Sequence, residues 1–124
     1  MFEQIDRPSA EYRLSRVLTE HMGDECRRST LGGVIATAAD KLARYRRQRD
    51  EHKREGGPVP QLTLLTEAYE AVAEAGRMIR SMRTGDDDHA LKRRHGIDMA
   101  TVIDELWQAS DLIRRQIEHE RRRW

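Results

Sequence analysis

The sequence predicts an all-α fold: a four-helix bundle-like arrangement of two antiparallel helical pairs, one domain over residues 1–124, formed within one chain or completed by a second copy. Three observations carry the prediction. Apolar residues recur at three- and four-residue steps in four separate segments, the spacing that gathers them on one face of a helix. The β-branched alternation that marks a half-buried strand runs nowhere for more than a few positions, and aromatic residues make up only 5% of the chain. Glycine and proline punctuation falls between the periodic segments. With 37% hydrophobic and 36% charged residues in 124 positions, one core is all the chain can build. That core is thin for a monomer, so a homo-oligomer is expected.

The first helix begins near Ser9, where Pro8 fixes the approach and the serine hydroxyl can cap, and it carries Leu14, Val17, Leu18, His21 and Met22 at helical spacing. It ends within Gly23 to Arg28. The second begins at Ser29 or Thr30 and carries the seam Leu31, Ile35, Ala38, Leu42 and Tyr45. Gly32 and Gly33 mark its start or a close helix contact. Beyond Tyr45 the run RRQRDEHKRE is nearly all charged and reads as a solvated helical extension, with Asp50 and Arg54 at pairing distance along the helix.

Gly56-Gly57-Pro58-Val59-Pro60 is the clearest break, because paired glycines favour non-helical backbone and each proline restricts the residue before it. The third helix runs from about Leu62 to Arg83 with a seam of Leu62, Leu65, Tyr69, Val72, Gly76 and Ile79, widened by Ala68, Ala71 and Ala75. Asp86 to Gly96 reads as a charged loop. The fourth helix, capped by Asp98 and extending toward Trp124, buries Met99, Val102, Ile103, Leu106, Ala109, Ile113 and Ile117.

Lys and Arg total 23 against 22 for Asp and Glu, so no global field draws the chain to nucleic acid or anionic lipid. The local basic clusters, Arg44 to Arg54, Lys92 to Arg94 and Arg121 to Arg123, read as solvated helix faces relieved by acidic neighbours. No apolar run approaches the ~20 residues that span a bilayer, and the opening MFEQIDRP lacks the apolar core of a secretion signal. The single cysteine, Cys26, excludes an internal disulfide and fits a reducing compartment, so a cytoplasmic location is expected. His21, five residues before Cys26, does not share its helical face, which counts against a catalytic thiol.

The acidic side chains offer one constellation. Carboxylates three apart on a helix have β-carbons ~5–6 Å apart, so Glu67 and Glu70 can converge on one cation, with Glu105 of the next helix completing the set. Magnesium takes oxygen ligands and bridges to substrate phosphates, so two or three carboxylates on packed helices suffice. Against this, the same residues lie off the main seam, where acids ordinarily face water.

The runs PQLTLLTEAYEAVAEA and IDELWQASDLIRRQIEHE resemble the paired signature of the all-alpha nucleoside triphosphate pyrophosphohydrolases, the MazG-like group with its dimeric dUTPase relatives. In that group E-x-x-E on one helix and E-x-x-D on the next hold magnesium for cleavage between the alpha and beta phosphates. The resemblance covers roughly the second half of the chain. It implies that Glu67, Glu70 and Glu105 bind Mg2+, with Gln108, which stands where the aspartate belongs, offering an amide oxygen. It further implies a nucleoside triphosphate substrate whose phosphates are steadied by Lys92, Arg93 and Arg94, or by Arg49 and Lys53. Thr66 departs from the family's additional glutamate, and the connector between the motifs is longer than usual.

Other constellations are absent. Gly85-Asp86-Asp87-Asp88-His89 lacks the glycine and terminal glutamate of a calcium loop, the five histidines form no zinc pattern, and neither a phosphate-binding glycine loop nor a nucleophile elbow occurs. Two functions therefore compete. One is a Mg2+-dependent nucleoside triphosphate pyrophosphohydrolase, phage-encoded or degenerate; the other is a non-enzymatic helical module that binds a protein partner, as in a phage or bacterial assembly, regulatory or inhibitor factor. Trp107 and Trp124 are the aromatic candidates for anchoring such a partner, although a tryptophan placed as Trp107 is beside Leu106 is more often a core residue.

Overall fold

The computed structural model describes residues 9–83 and 98–123, and within them the chain is all-helical. Five helices follow in order: α1, Ala10–Glu20; α2, Asp24–Arg27; α3, Thr30–Glu55; α4, Thr63–Arg83; and α5, Met99–Arg123. Four match the helices expected from the spacing. The single turn α2 falls where the sequence suggested only a break.

The ends are set by local chemistry. Ser9 Oγ accepts from the Tyr12 amide at 3.2 Å and Ser29 Oγ from the Gly32 amide at 3.4 Å, each satisfying a first-turn donor that has no partner within its helix. Gly56 closes α3 in the left-handed region, at φ 67°, where its amide donates to the His52 carbonyl. Arg27 reaches back from α2 to the end of α1, donating to the carbonyls of Leu18 at 2.6 Å and Met22 at 3.1 Å. The Asp98 amide donates to the His21 carbonyl at 3.1 Å and so ties the start of α5 to the end of α1.

Contacts define the neighbours: α1 packs on α3 and α5, α4 packs on α3 and α5, and α2 lies against α3. Glu11 meets Arg46, beyond the middle of α3, and Arg13 meets Glu105 while His21 meets Asp98. Lys41 meets Glu67 while Gln48 Oε1 accepts from the Gln61 amide. In the last two pairings sequence number rises on one segment as it falls on the other, so α1 with α5 and α3 with α4 run antiparallel.

The core is the expected one in most particulars. The whole seam Leu31, Ile35, Ala38, Leu42 and Tyr45 is buried, as are Leu14 and Val17 of α1 and Met99, Val102, Leu106, Ala109 and Ile113 of α5. In α4 the seam differs. The buried line runs through Leu65, Ala68, Val72, Ala75 and Ile79, while Tyr69 and Gly76 are only half-buried. Two charged side chains enter the interior, Glu11 at 8% exposure and Glu120 at 3%. Gly32 sits where α2 meets α3; a Cβ there would lie 2.0 Å from the Arg27 carbonyl oxygen, so the close approach admits no side chain.

The charged end of α3 is helical, as expected, but it does not stand off in solvent. Gln48, Arg49, Asp50 and His52 are half-buried, because the connector after Gly56 folds back on them; His52 Nδ1 bonds the Gly57 carbonyl and Gln48 holds Gln61. Among the described residues no helix is long and apolar enough to cross a membrane.

Candidate functional site: a groove between α4 and α5

The residues of the two acidic motifs are placed on different sides of the helix pair that carries them. Glu67 is exposed and turns toward α3, where Lys41 Nζ lies 2.9 Å from its Oε2. Glu70, one turn on, is exposed. Glu105 turns toward α1 and takes both its oxygens to Arg13 Nη1 at 3.2 Å. Gln108 donates from Nε2 to Asp104 on its own helix at 2.7 Å, so its amide is engaged as a donor. Each of Glu67 and Glu105 is thus neutralised by a cation from a different helix. Among the described residues no group of three or more His, Cys, Asp or Glu side chains is placed to hold a metal ion, and in this arrangement the four residues do not fit a shared magnesium.

The cations expected to steady phosphates are likewise apart from the glutamates. Lys53 is exposed near the end of α3, and Arg49 Nε lies 3.5 Å from Asp50 Oδ1. At 1.5 Å per residue Arg49 stands about 12 Å and Lys53 about 18 Å along the helix from Lys41, the cation that meets Glu67. Lys41 carries no motif that would mark it in the sequence. Lys92, Arg93 and Arg94 lie outside the described residues, as does the acidic run Asp86 to Asp88.

Where α4 faces α5 the two helices part. They leave an open groove of about 730 Å³, with Val72, Ile79, Ile103 and Leu106 among its apolar lining and Tyr69, Trp107, Arg77, Arg80 and Arg114 among its larger walls. Gly76 also lines it, and a Cβ built there would meet nothing within 4 Å, so the groove is open at that point of α4. Trp107 is 72% exposed. The expectation that it packs beside Leu106 is corrected: residues 106 and 107 lie about 100° apart around a helix, so burying one turns the other outward.

Two of the groove's charged lining residues, Asp111 and Arg114, are engaged with one another and with their neighbours. The one carboxylate among its described lining residues, Asp111, lies 2.8 Å from Arg114 Nη2 and 3.0 Å from Arg115 Nε, two arginines on one acid. The hydrogen bond that Arg114 donates to Asp111, then the charge of Asp111 and that of Glu118, hold the Arg114 guanidinium above its ordinary pKa. Arg114 also lies 3.6 Å from Glu118, so its charge is met by two acids. An open groove between two helices, with apolar and basic side chains in its lining, is suited to receiving an amphipathic ligand.

Cys26 is buried at 5% exposure, and burial pushes its thiol pKa up, which makes it a core residue with little thiolate character. Compared with known proteins, the chain matches no family model, and no curated protein or solved structure matches it.

Proposed function

We propose that this chain is a non-enzymatic helical module that binds a protein partner, with the groove between α4 and α5 as its docking face. One observation carries the reading: Trp107 is 72% exposed at the edge of an open, apolar-lined groove. A large aromatic side chain left in water forgoes burial that would be favourable, and its amphipathic ring is the type most often found anchoring interfaces. The ion pairs of Glu67 with Lys41 and Glu105 with Arg13 support the same reading, because they occupy the carboxylates that magnesium would need. We take the packing of α1, α3, α4 and α5 as four-helix bundle-like, and a homo-oligomer as its form in solution.

The test places a photoreactive amino acid at position 107 and, as control, at Ala36, which is exposed on α3. Irradiation in the producing cell is expected to give a discrete protein adduct from position 107 that is undiminished by a divalent-metal chelator. Equal labelling from both positions removes the reading.

The second reading, a Mg2+-dependent nucleoside triphosphate pyrophosphohydrolase, is supported by the spacing of Glu67, Glu70 and Glu105 and requires both ion pairs to open. Its assay is pyrophosphate release from a panel of nucleoside triphosphates with Mg2+, lost on Glu70→Gln. Release at that level of dependence replaces the first reading with this one.

A further inference from the structure

We infer that the partner at the docking face is a second copy of this chain, laid antiparallel along the exposed side of α4 about a two-fold axis beside Ala73, so that Glu70 of each copy meets Arg77 of the other. The inference rests on the docking reading above and names its occupant. It starts from the outer stripe of α4, where Thr66, Glu70, Arg77 and Ser81 are exposed and Ala73 between them is half-buried. Glu70 and Arg77 are seven residues apart. That interval brings them within about 20° of each other around the helix and sets them about 10 Å apart along it.

Neither charge is used within the chain. Among the described residues Glu70 and Arg77 have no ion-pair partner, whereas Glu67 of the same helix holds Lys41. The residues one turn from Glu70 are Thr66, Glu67, Ala73 and Glu74, none of them a cation. Acids therefore precede Arg77 along α4, an order that suits the dipole of the helix and also selects how two copies can meet. A parallel copy sets acid on acid. An antiparallel copy turned about a point between Ala73 and Glu74 sets Glu70 opposite Arg77 of the second copy, repeats that pair by symmetry, and sets Thr66 opposite Ser81.

The crossing point is free of bulk. Ala73 lies at it, and a Cβ at Gly76, three residues on, would meet nothing within 4 Å, so a second helix can come close. Ala73, Gly76 and Arg77 line the same groove as Trp107, so a helix over Ala73 stands at the groove's mouth and takes the 72% exposed indole out of water.

The experiment follows self-association of the full chain by sedimentation from micromolar to submillimolar concentration, with Trp124→Phe leaving Trp107 as the one tryptophan reporter. A dimer is expected, with Trp107 emission shifting to the blue as it forms. Glu70→Arg and Arg77→Glu, each turning both pairs into like charges, are expected to weaken it roughly 10-fold or more, with the helical circular dichroism unchanged. The double variant restores opposite charges and is expected to recover the dimer. So is a mixture of the two single variants, which is expected to form the mixed dimer while neither chain pairs with itself.

Each failure points to a different error. A chain that stays monomeric throughout that range overturns the second copy, and the cross-linking adduct at position 107 then decides whether the face serves another protein. Self-association indifferent to both reversals places the interface elsewhere and overturns the inference. Charge-dependent pairing with no change in Trp107 emission keeps the α4 contact and removes the indole from it.

Discussion

The α1–α3 side and the α4–α5 side of the molecule are both made of amphipathic helices with a continuous apolar seam, yet they finish differently. Where α1 meets α3, Glu11 at 8% exposure takes Arg46 through two bonds, at 2.8 and 3.1 Å, and the interior is closed over. Where α4 meets α5, the helices carry Gly76, Ala73 and an outward Trp107, and about 730 Å³ remains open between them. The difference lies in the residues flanking the seams. A long side chain with a partner on the facing helix seals an edge, while a glycine and an unpartnered indole leave one open.

The comparison is tested most severely at the closed edge. Arg46→Ala strands the Glu11 carboxylate in the interior, and removing one member of such a buried pair costs about 3–5 kcal/mol. The urea midpoint is expected to fall accordingly, and a loss under about 1 kcal/mol would mean that the edge is not sealed by this pair.

The two glycines give the next largest contrast. Gly32→Ala drives a Cβ onto the Arg27 backbone and is expected to cost about 1–3 kcal/mol, since backbone cannot turn aside as a side chain can. Gly76→Ala enters open space and is expected to stabilise by about 0.5–1 kcal/mol through helix propensity. Opposite signs in paired urea titrations sharpen the distinction between close and open helix contacts; the same sign for both ends it.

Trp107→Ser is expected to leave stability within about 0.5 kcal/mol, because the indole is mostly in water, while it removes partner capture. A large loss of stability would show that the indole is a core residue after all.

The smallest effect is at Cys26. Burial raises its folded-state thiol pKa, so its contribution is complete below the unfolded thiol's pKa and is lost as pH rises through the higher folded value. A shallow fall in the urea midpoint above about pH 9 is expected, absent in Cys26→Ala. Iodoacetamide is expected to alkylate Cys26 far more slowly in the folded chain than in urea.

Much of the fold was legible because helix periodicity is a local property. The seam from Leu31 to Tyr45 and the caps at Ser9 and Ser29 follow from residues within a turn or two of one another. The periodicity of α4 points to a seam through Tyr69 and Gly76, each one step around the helix from a buried alanine, Ala68 or Ala75, because adjacent small and apolar residues leave the spacing ambiguous by one position. That same step separates a core position from the groove. The candidate site was scarcely legible: Glu11 and Arg46 are 35 positions apart, Arg13 and Glu105 are 92 apart, and nothing in the spacing of Glu67 and Glu70 foretold Lys41.

Residues near one another in the chain fix its helical character, the approximate limits of four helices and most of its core positions, since these depend on hydrogen bonds and burial along a single helix. Only tertiary structure decided which cation each glutamate faces and which side of Trp107 meets water. Those outcomes depend on the rotation of one helix against its neighbours, and a turn of 100° in that rotation exchanges a buried residue for an exposed one.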